Sequence, residues 1–104
     1  MFDKVLPIGT VVLLKGAKKR LMIIGYCKYK SGDKNKIYDY AGCIYPEGYL
    51  SPDTTALFDH EQIDVIFSLG FRNMVQHEFQ IKLEKALKDM EEENKESTQE
   101  SENE

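Results

Sequence analysis

The hydrophobic period of this chain changes once, at residues 72–73, and that change limits the folds open to it. Before Arg72, apolar residues come in short β-rich runs cut by Gly, Pro and Lys; after Asn73 they recur at steps of three and four. Val11-Val-Leu-Leu14 ends in the turn Lys15-Gly-Ala-Lys-Lys19, and a second run from Arg20 to Tyr29 follows. Two apolar strands joined by a short Gly-containing turn predict a hairpin. Gly25 inside the second run predicts a bulge or bend. Ser31-Gly-Asp-Lys-Asn-Lys36 reads as the next turn, and residues 37–45 as a third strand broken by Pro46-Glu-Gly48. Residues 49–55 read as an exposed loop. Leu57-Phe58 restarts order, and Asp59-His-Glu-Gln62 has the pattern of a short helical turn capped by Asp59. In residues 63–71, Ile63, Val65, Phe67 and Leu69 alternate as in a half-buried strand.

From Asn73, an N-cap residue, Val75, Phe79, Leu83, Ala86, Leu87 and Met90 form the apolar stripe of a helix that fades near Glu93. The expected fold is α+β. It comprises a small curled antiparallel sheet or SH3-like barrel of four or five strands, followed by one C-terminal amphipathic helix. Residues 1–93 form the single domain. Residues 94–104 form a disordered acidic tail, because from Ser97 onward no apolar side chain is left to offset the entropy of ordering.

Charge divides along the same line. The net charge is −4, yet residues 88–104 hold eight acids against two lysines, a net of −6, so residues 1–87 carry +2. No apolar run approaches the roughly 20 residues that span a bilayer. The first eight residues lack the basic-then-apolar pattern of a signal peptide, which predicts a cytoplasmic protein.

Chemistry-bearing patterns are sparse. No nucleophile elbow, phosphate loop, zinc-protease helix or dinucleotide fingerprint occurs. Cys27 and Cys43 lie 16 positions apart, and with two histidines they lack the paired spacing of a metal site. They read as reduced, small apolar residues on neighbouring strands. His60, between Asp59 and Glu61, reads as a solvated turn residue, and the carboxylates are scattered. No catalytic, cofactor or metal residues are expected, and no enzyme.

Two segments carry the binding signal. Residues 15–36 hold eight cations against Asp33, a net of +7, with Tyr26 and Tyr29 interleaved and Tyr38 and Tyr40 just beyond. Solvated turn lysines, an acidic protein partner and nucleic acid all fit that composition, nucleic acid least well. Tyr45-Pro-Glu-Gly-Tyr-Leu50 places aromatic and apolar area in a loop, either plugging a barrel or forming an interface. Tyr45, Tyr49 and Leu50, the stripe residues Phe79, Leu83 and Leu87, and the cations Lys18, Lys19 and Arg20 are the candidate partner-binding residues.

Four segments taken in order are distinctive. They are Leu6-Pro-Ile-Gly-Thr-Val-Val-Leu-Leu-Lys-Gly16, Lys19-Arg-Leu-Met-Ile-Ile-Gly25, Tyr38-Asp-Tyr-Ala-Gly-Cys-Ile-Tyr-Pro-Glu-Gly48 and Ile63-Asp-Val-Ile-Phe-Ser-Leu-Gly-Phe71. The series resembles a small domain family of Gram-positive bacteria, of unknown function, encoded beside LXG-type polymorphic toxins and type VII secretion components. The resemblance spans residues 6 to about 80. It implies a non-enzymatic accessory, chaperone-like or targeting, that binds an LXG-type toxin or a small helical secretion factor. It supplies no catalytic residues. A small basic barrel binding nucleic acid and a toxin-neutralising immunity protein are the rival expectations.

Overall fold

The computed structural model describes residues 5–30 and 33–103, with side chains described for 5–29 and 36–89. Five strands and one long helix follow in order: β1 (Val11–Leu14), β2 (Leu21–Lys30), β3 (Asp33–Ile44), β4 (Ala56–Phe58), β5 (Ile63–Ser68) and α1 (Met74–Asn103). Short 3-10 turns at Pro52–Thr54 and His60–Gln62 flank β4. The fold is α+β, as the change of period predicts. The chain groups into two compact units, Leu6–Arg72 with the sheet, and Asn73–Glu104 together with Met1–Val5.

The sheet is antiparallel throughout, in the order β4-β3-β2-β1-β5. Strands β1 to β4 form a meander, and β5 returns to the far side of β1. The sheet is therefore open between β4 and β5, a curled sheet and not a closed barrel. β2 and β3 make the longest ladder, running from Leu21 opposite Ile44 to Lys30 opposite Asp33. That register begins β3 four residues before the expected Ile37 and leaves only positions 31 and 32, which lie outside the described residues, to join the strands. Its register shifts between Ile23 and Gly25, the irregularity that a glycine in mid-strand predicts.

The core of this unit is built from Val12, Ile23, Tyr40 and Phe58, all fully buried, with Cys43 beside them. The Tyr40 and Phe58 rings stack at 5.5 Å between centroids. Cys43 is opposite Met22, five residues along β2 from Cys27. At about 3.3 Å per residue that separation is roughly 15 Å, beyond the reach of a disulfide. Both thiols are free.

β5 departs from expectation. Its alternation predicts one buried face, but residues 64–69 are all exposed. The pairing with β1 shifts register twice, between Val11 and Val12 and between Leu13 and Leu14, so two β5 residues fall outside the two-residue period. As the last strand of the sheet it also has a neighbour on one side only. It ends at Ser68, three residues short of the expected Phe71. Beyond it Gly70 presses onto the backbone at Ile8, its N–H donating to Thr10 Oγ1 at 3.0 Å. The Thr10 hydroxyl, fully buried, donates in turn to Pro7 O at 2.7 Å.

α1 starts as predicted. Asn73 Oδ1 accepts from the Gln76 N–H at 2.8 Å, so Asn73 caps the helix. Within this unit the Val5 N–H donates to Glu84 Oε1 at 2.9 Å, and Gln80 donates to the same oxygen at 3.2 Å. α1 runs to Asn103, ten residues past the expected fading near Glu93; the side chains of the acidic tail expected over 94–104 lie outside those described.

A Cβ at position 70 would lie 2.0 Å from the Ile8 carbonyl oxygen, so the backbone itself would have to move. Gly70→Ala is expected to destabilise the protein by about 1–3 kcal/mol, read from the urea midpoint. Gly25→Ala, whose Cβ meets only ordinary contacts at 3.6 and 3.8 Å, is expected to change stability by less than about 1 kcal/mol.

Candidate functional site

Because β2 and β3 are antiparallel, the start of one strand lies beside the end of the other. Leu21 opposite Ile44 therefore brings the basic turn before β2 against the tyrosine loop after β3. Three contacts fix the arrangement. The Tyr45 N–H donates to Arg20 O at 3.0 Å. Lys19 Nζ pairs with Glu47 at 2.8 Å. The Gly48 N–H closes the loop on Ile44 O at 2.8 Å, with Gly48 at φ +84°. Tyr45–Pro46 is a cis peptide. The turn itself is anchored by the Lys15 N–H on Gln62 O at 2.8 Å.

Two of the segments singled out in the sequence thus form one surface. Tyr45, Tyr49 and Leu50 are 41%, 59% and 62% exposed, so the loop faces water and does not plug the sheet. Lys18, Lys19 and Arg20 are exposed beside it. Arg20 reaches across β1 and lays its guanidinium 4.3 Å from the centroid of the Phe67 ring on β5, extending the surface to that strand. The hydrogen bond from Lys19 lowers the pKa of the Glu47 carboxyl. The remaining candidates lie on α1. Phe79 is about half exposed, Leu83 is intermediate, and Leu87 is buried at 8%. Met74, Val75 and Ile81 on the same helix are exposed; neither Met74 nor Ile81 belongs to the predicted stripe.

Sequence reasoning missed a polar cluster in the sheet unit. Tyr40 Oη accepts from the Leu6 N–H at 3.2 Å and lies 2.8 Å from His60 Nδ1. The phenol can donate or accept at that contact, according to which ring nitrogen of His60 carries the proton. His60 is therefore a half-buried interior partner and not a solvated turn residue; burial pushes its pKa down. The His60 backbone N–H donates to Asp39 Oδ2 at 3.0 Å. The Asp39 N–H donates to Asp59 Oδ1 at 3.2 Å, and Asp59 pairs with Lys36 at 3.0 Å. Burial, with the Asp59 charge adding, raises the Asp39 carboxyl. Tyr26 Oη donates to Leu6 O at 2.5 Å, and burial pushes its pKa up to about 12. Asp39 meets the backbone of His60 and not its ring, so the trio is wired as a turn clamp and not as the carboxylate–imidazole–hydroxyl relay of a nucleophilic site. The sequence held one usable signal, the histidine two residues beyond buried Phe58.

A shallow groove of about 590 Å³ lies on the sheet unit between Lys28, Tyr29 and Tyr38 on one side and Pro52 and Leu57 on the other. Among the described residues no three His, Cys, Asp or Glu side chains are placed to share a metal ion, and no helix is long and apolar enough to cross a membrane.

An open antiparallel sheet with a C-terminal helix, displaying an aromatic and basic surface at one end of the sheet, defines the class of protein. The chain belongs to the family described as Domain of unknown function (DUF4176), which matches residues 5–79, well over half its length. No curated protein and no solved structure matches it.

The buried phenol–imidazole contact sets a pH dependence. His60 has a folded-state pKa below its unfolded value of about 6.5, so the unfolded chain takes up the proton first. Its stabilising contribution is complete above that value and is lost as pH falls through the folded-state pKa. The urea midpoint should drop between pH 7.5 and pH 5. His60→Asn, which keeps a polar group facing Tyr40 but does not titrate, should flatten that slope. Tyr40→Phe should cost about 1–3 kcal/mol at pH 7.5 by leaving the Leu6 N–H and His60 Nδ1 without their oxygen.

Proposed function

We propose that this chain is a non-enzymatic accessory that binds a protein partner in the cytoplasm and accompanies it to export. The partner is an LXG-type toxin or a small helical factor of type VII secretion, in keeping with the sequence resemblance. One observation carries the reading: Tyr45, Tyr49 and Leu50 stand exposed in a loop that backbone and ion-pair contacts tie to Lys19 and Arg20, with Lys18 exposed next to them in sequence. Tyrosine brings large contact area at low entropic cost, and leucine adds apolar area to displace water. The neighbouring cations favour a partner with an acidic face and speed its approach. Holding the loop by short-range contacts keeps its ordering cost low on binding.

The test is co-expression with an LXG-type toxin of the same genome, followed by sizing chromatography and calorimetry. Co-elution at micromolar concentration is expected. Tyr49→Ala with Leu50→Ser should weaken binding by about tenfold or more. Lys18→Glu with Lys19→Glu should mainly slow association, and added salt should do the same to the unsubstituted chain. Separate elution of the two proteins at micromolar concentration would remove the proposal.

A further inference from the structure

Residues 64–72 read Asp-Val-Ile-Phe-Ser-Leu-Gly-Phe-Arg. They comprise most of β5 and the segment that follows it past Ile8 and Thr10. β5 is the outermost strand on its side of the sheet, and among the described residues no strand pairs with its outer edge. Along this run Val65, Ile66, Phe67, Leu69 and Phe71 are all exposed, from 38% to 79%, and Ile8 beside Gly70 is exposed with them. Isolated apolar side chains on a surface need no explanation, but a contiguous row of five at a sheet edge marks an interaction site.

We propose that this edge is the two-fold interface of a homodimer, in which residues 64–72 of one copy lie antiparallel to residues 64–72 of a second, centred on Ser68. The run is complementary to its own reverse. Its only charges are Asp64 and Arg72 at the two ends, both exposed and neither ion-paired among the described residues. Centring on Ser68 sets Asp64 of each copy opposite Arg72 of the other, whereas a parallel arrangement would set like charge on like. The same centring sets Val65 opposite Phe71, Phe67 opposite Leu69, and Ile66 opposite Gly70. Large apolar groups then meet one another, and the branched Ile66 meets the one position without a side chain.

Size supports the same occupant. The six exposed apolar residues leave roughly 600 Å² of accessible surface per copy, so apposition removes at most about 1,200 Å² in total, the size of a weak, concentration-dependent dimer. A two-fold contact of this kind uses the same patch on both copies and closes at the dimer, where a heterologous edge contact would propagate. The Tyr45–Tyr49–Leu50 loop is not part of this run. Phe67, on which Arg20 stacks, borders both surfaces, whereas Asp64, Phe71 and Arg72 belong to this run alone, so substitutions there test self-association separately from toxin binding.

The experiment is sedimentation equilibrium of the full chain alone, from about 1 to about 200 µM, a range that brackets a Kd near 10 µM. The expected result is a concentration-dependent rise from the 12.0 kDa monomer to twice that mass. Asp64→Arg alone and Arg72→Asp alone should each weaken the dimer about tenfold or more, and the two together should restore it. Phe71→Ser, at the most exposed apolar position of the run, should also weaken it, with far-UV circular dichroism unchanged. A monomer across the whole range would overturn the proposal. So would a dimer indifferent to both single charge reversals and to Phe71→Ser, or one weakened by the reversals but not rescued by their combination.

Discussion

The phenol of Tyr40 is fully buried, and everything around it follows from the need to satisfy that one hydroxyl. A buried hydroxyl without partners costs several times what a paired one contributes. Here the partners come from three places in the chain: the Leu6 N–H before β1, the His60 ring after β4, and β3 itself, which holds Tyr40 against Tyr26 and Phe58. The contact pins the His60–Gln62 turn to the centre of the sheet. Asp39 and Asp59 complete the pinning by taking backbone N–H groups of the opposite segment. From that turn β5 leaves at Ile63 and is aimed back to β1, on the far side of the sheet from β4.

The consequence for function is indirect. Polar side chains that converge in this unit do so in the interior, where each is committed to holding a turn or a strand end. Among the groups facing water are tyrosines, leucine, phenylalanines, lysines and arginine, which suit adhesion. The antiparallel register of β2 and β3 gathers the loop aromatics and the turn cations at one end, and Arg20 bridges them to the exposed strand by stacking on Phe67. An open sheet of this kind has two edges. β4 is short, at three residues, whereas β5 and the segment after it present a longer apolar row. Natural sheets blunt such edges with bulges and inserted charges. β5 has both, in its two register shifts and Asp64, yet its large side chains stay uncovered.

Local signals were legible wherever chemistry acts over a few residues. The β-rich runs at Val11 and Leu21, the glycine that disturbs β2, the Asp59 turn and the Asn73 cap are all set by neighbours in sequence, and each stands in the structure close to its predicted place. The Tyr45–Leu50 loop was marked as unusual, but its exposure depended on whether the sheet closed around it. At His60 the flanking acids imply solvent, whereas its ring meets Tyr40, 20 residues away in sequence. At β5 the reason is similar: alternation implies a buried face only if something covers it and the ladder keeps a two-residue period.

The succession of elements, the switch from strand to helix at residues 72–73 and the separation of acidic tail from basic body are written in the residues themselves, because propensity, capping and charge are properties of short windows. The open sheet, the loop tyrosines beside Lys19 and Arg20 and the imidazole facing a phenol arise only in the folded chain. Those outcomes depend on strand order and register, which are selected by the burial of side chains distant in sequence, and no window of the chain contains both partners.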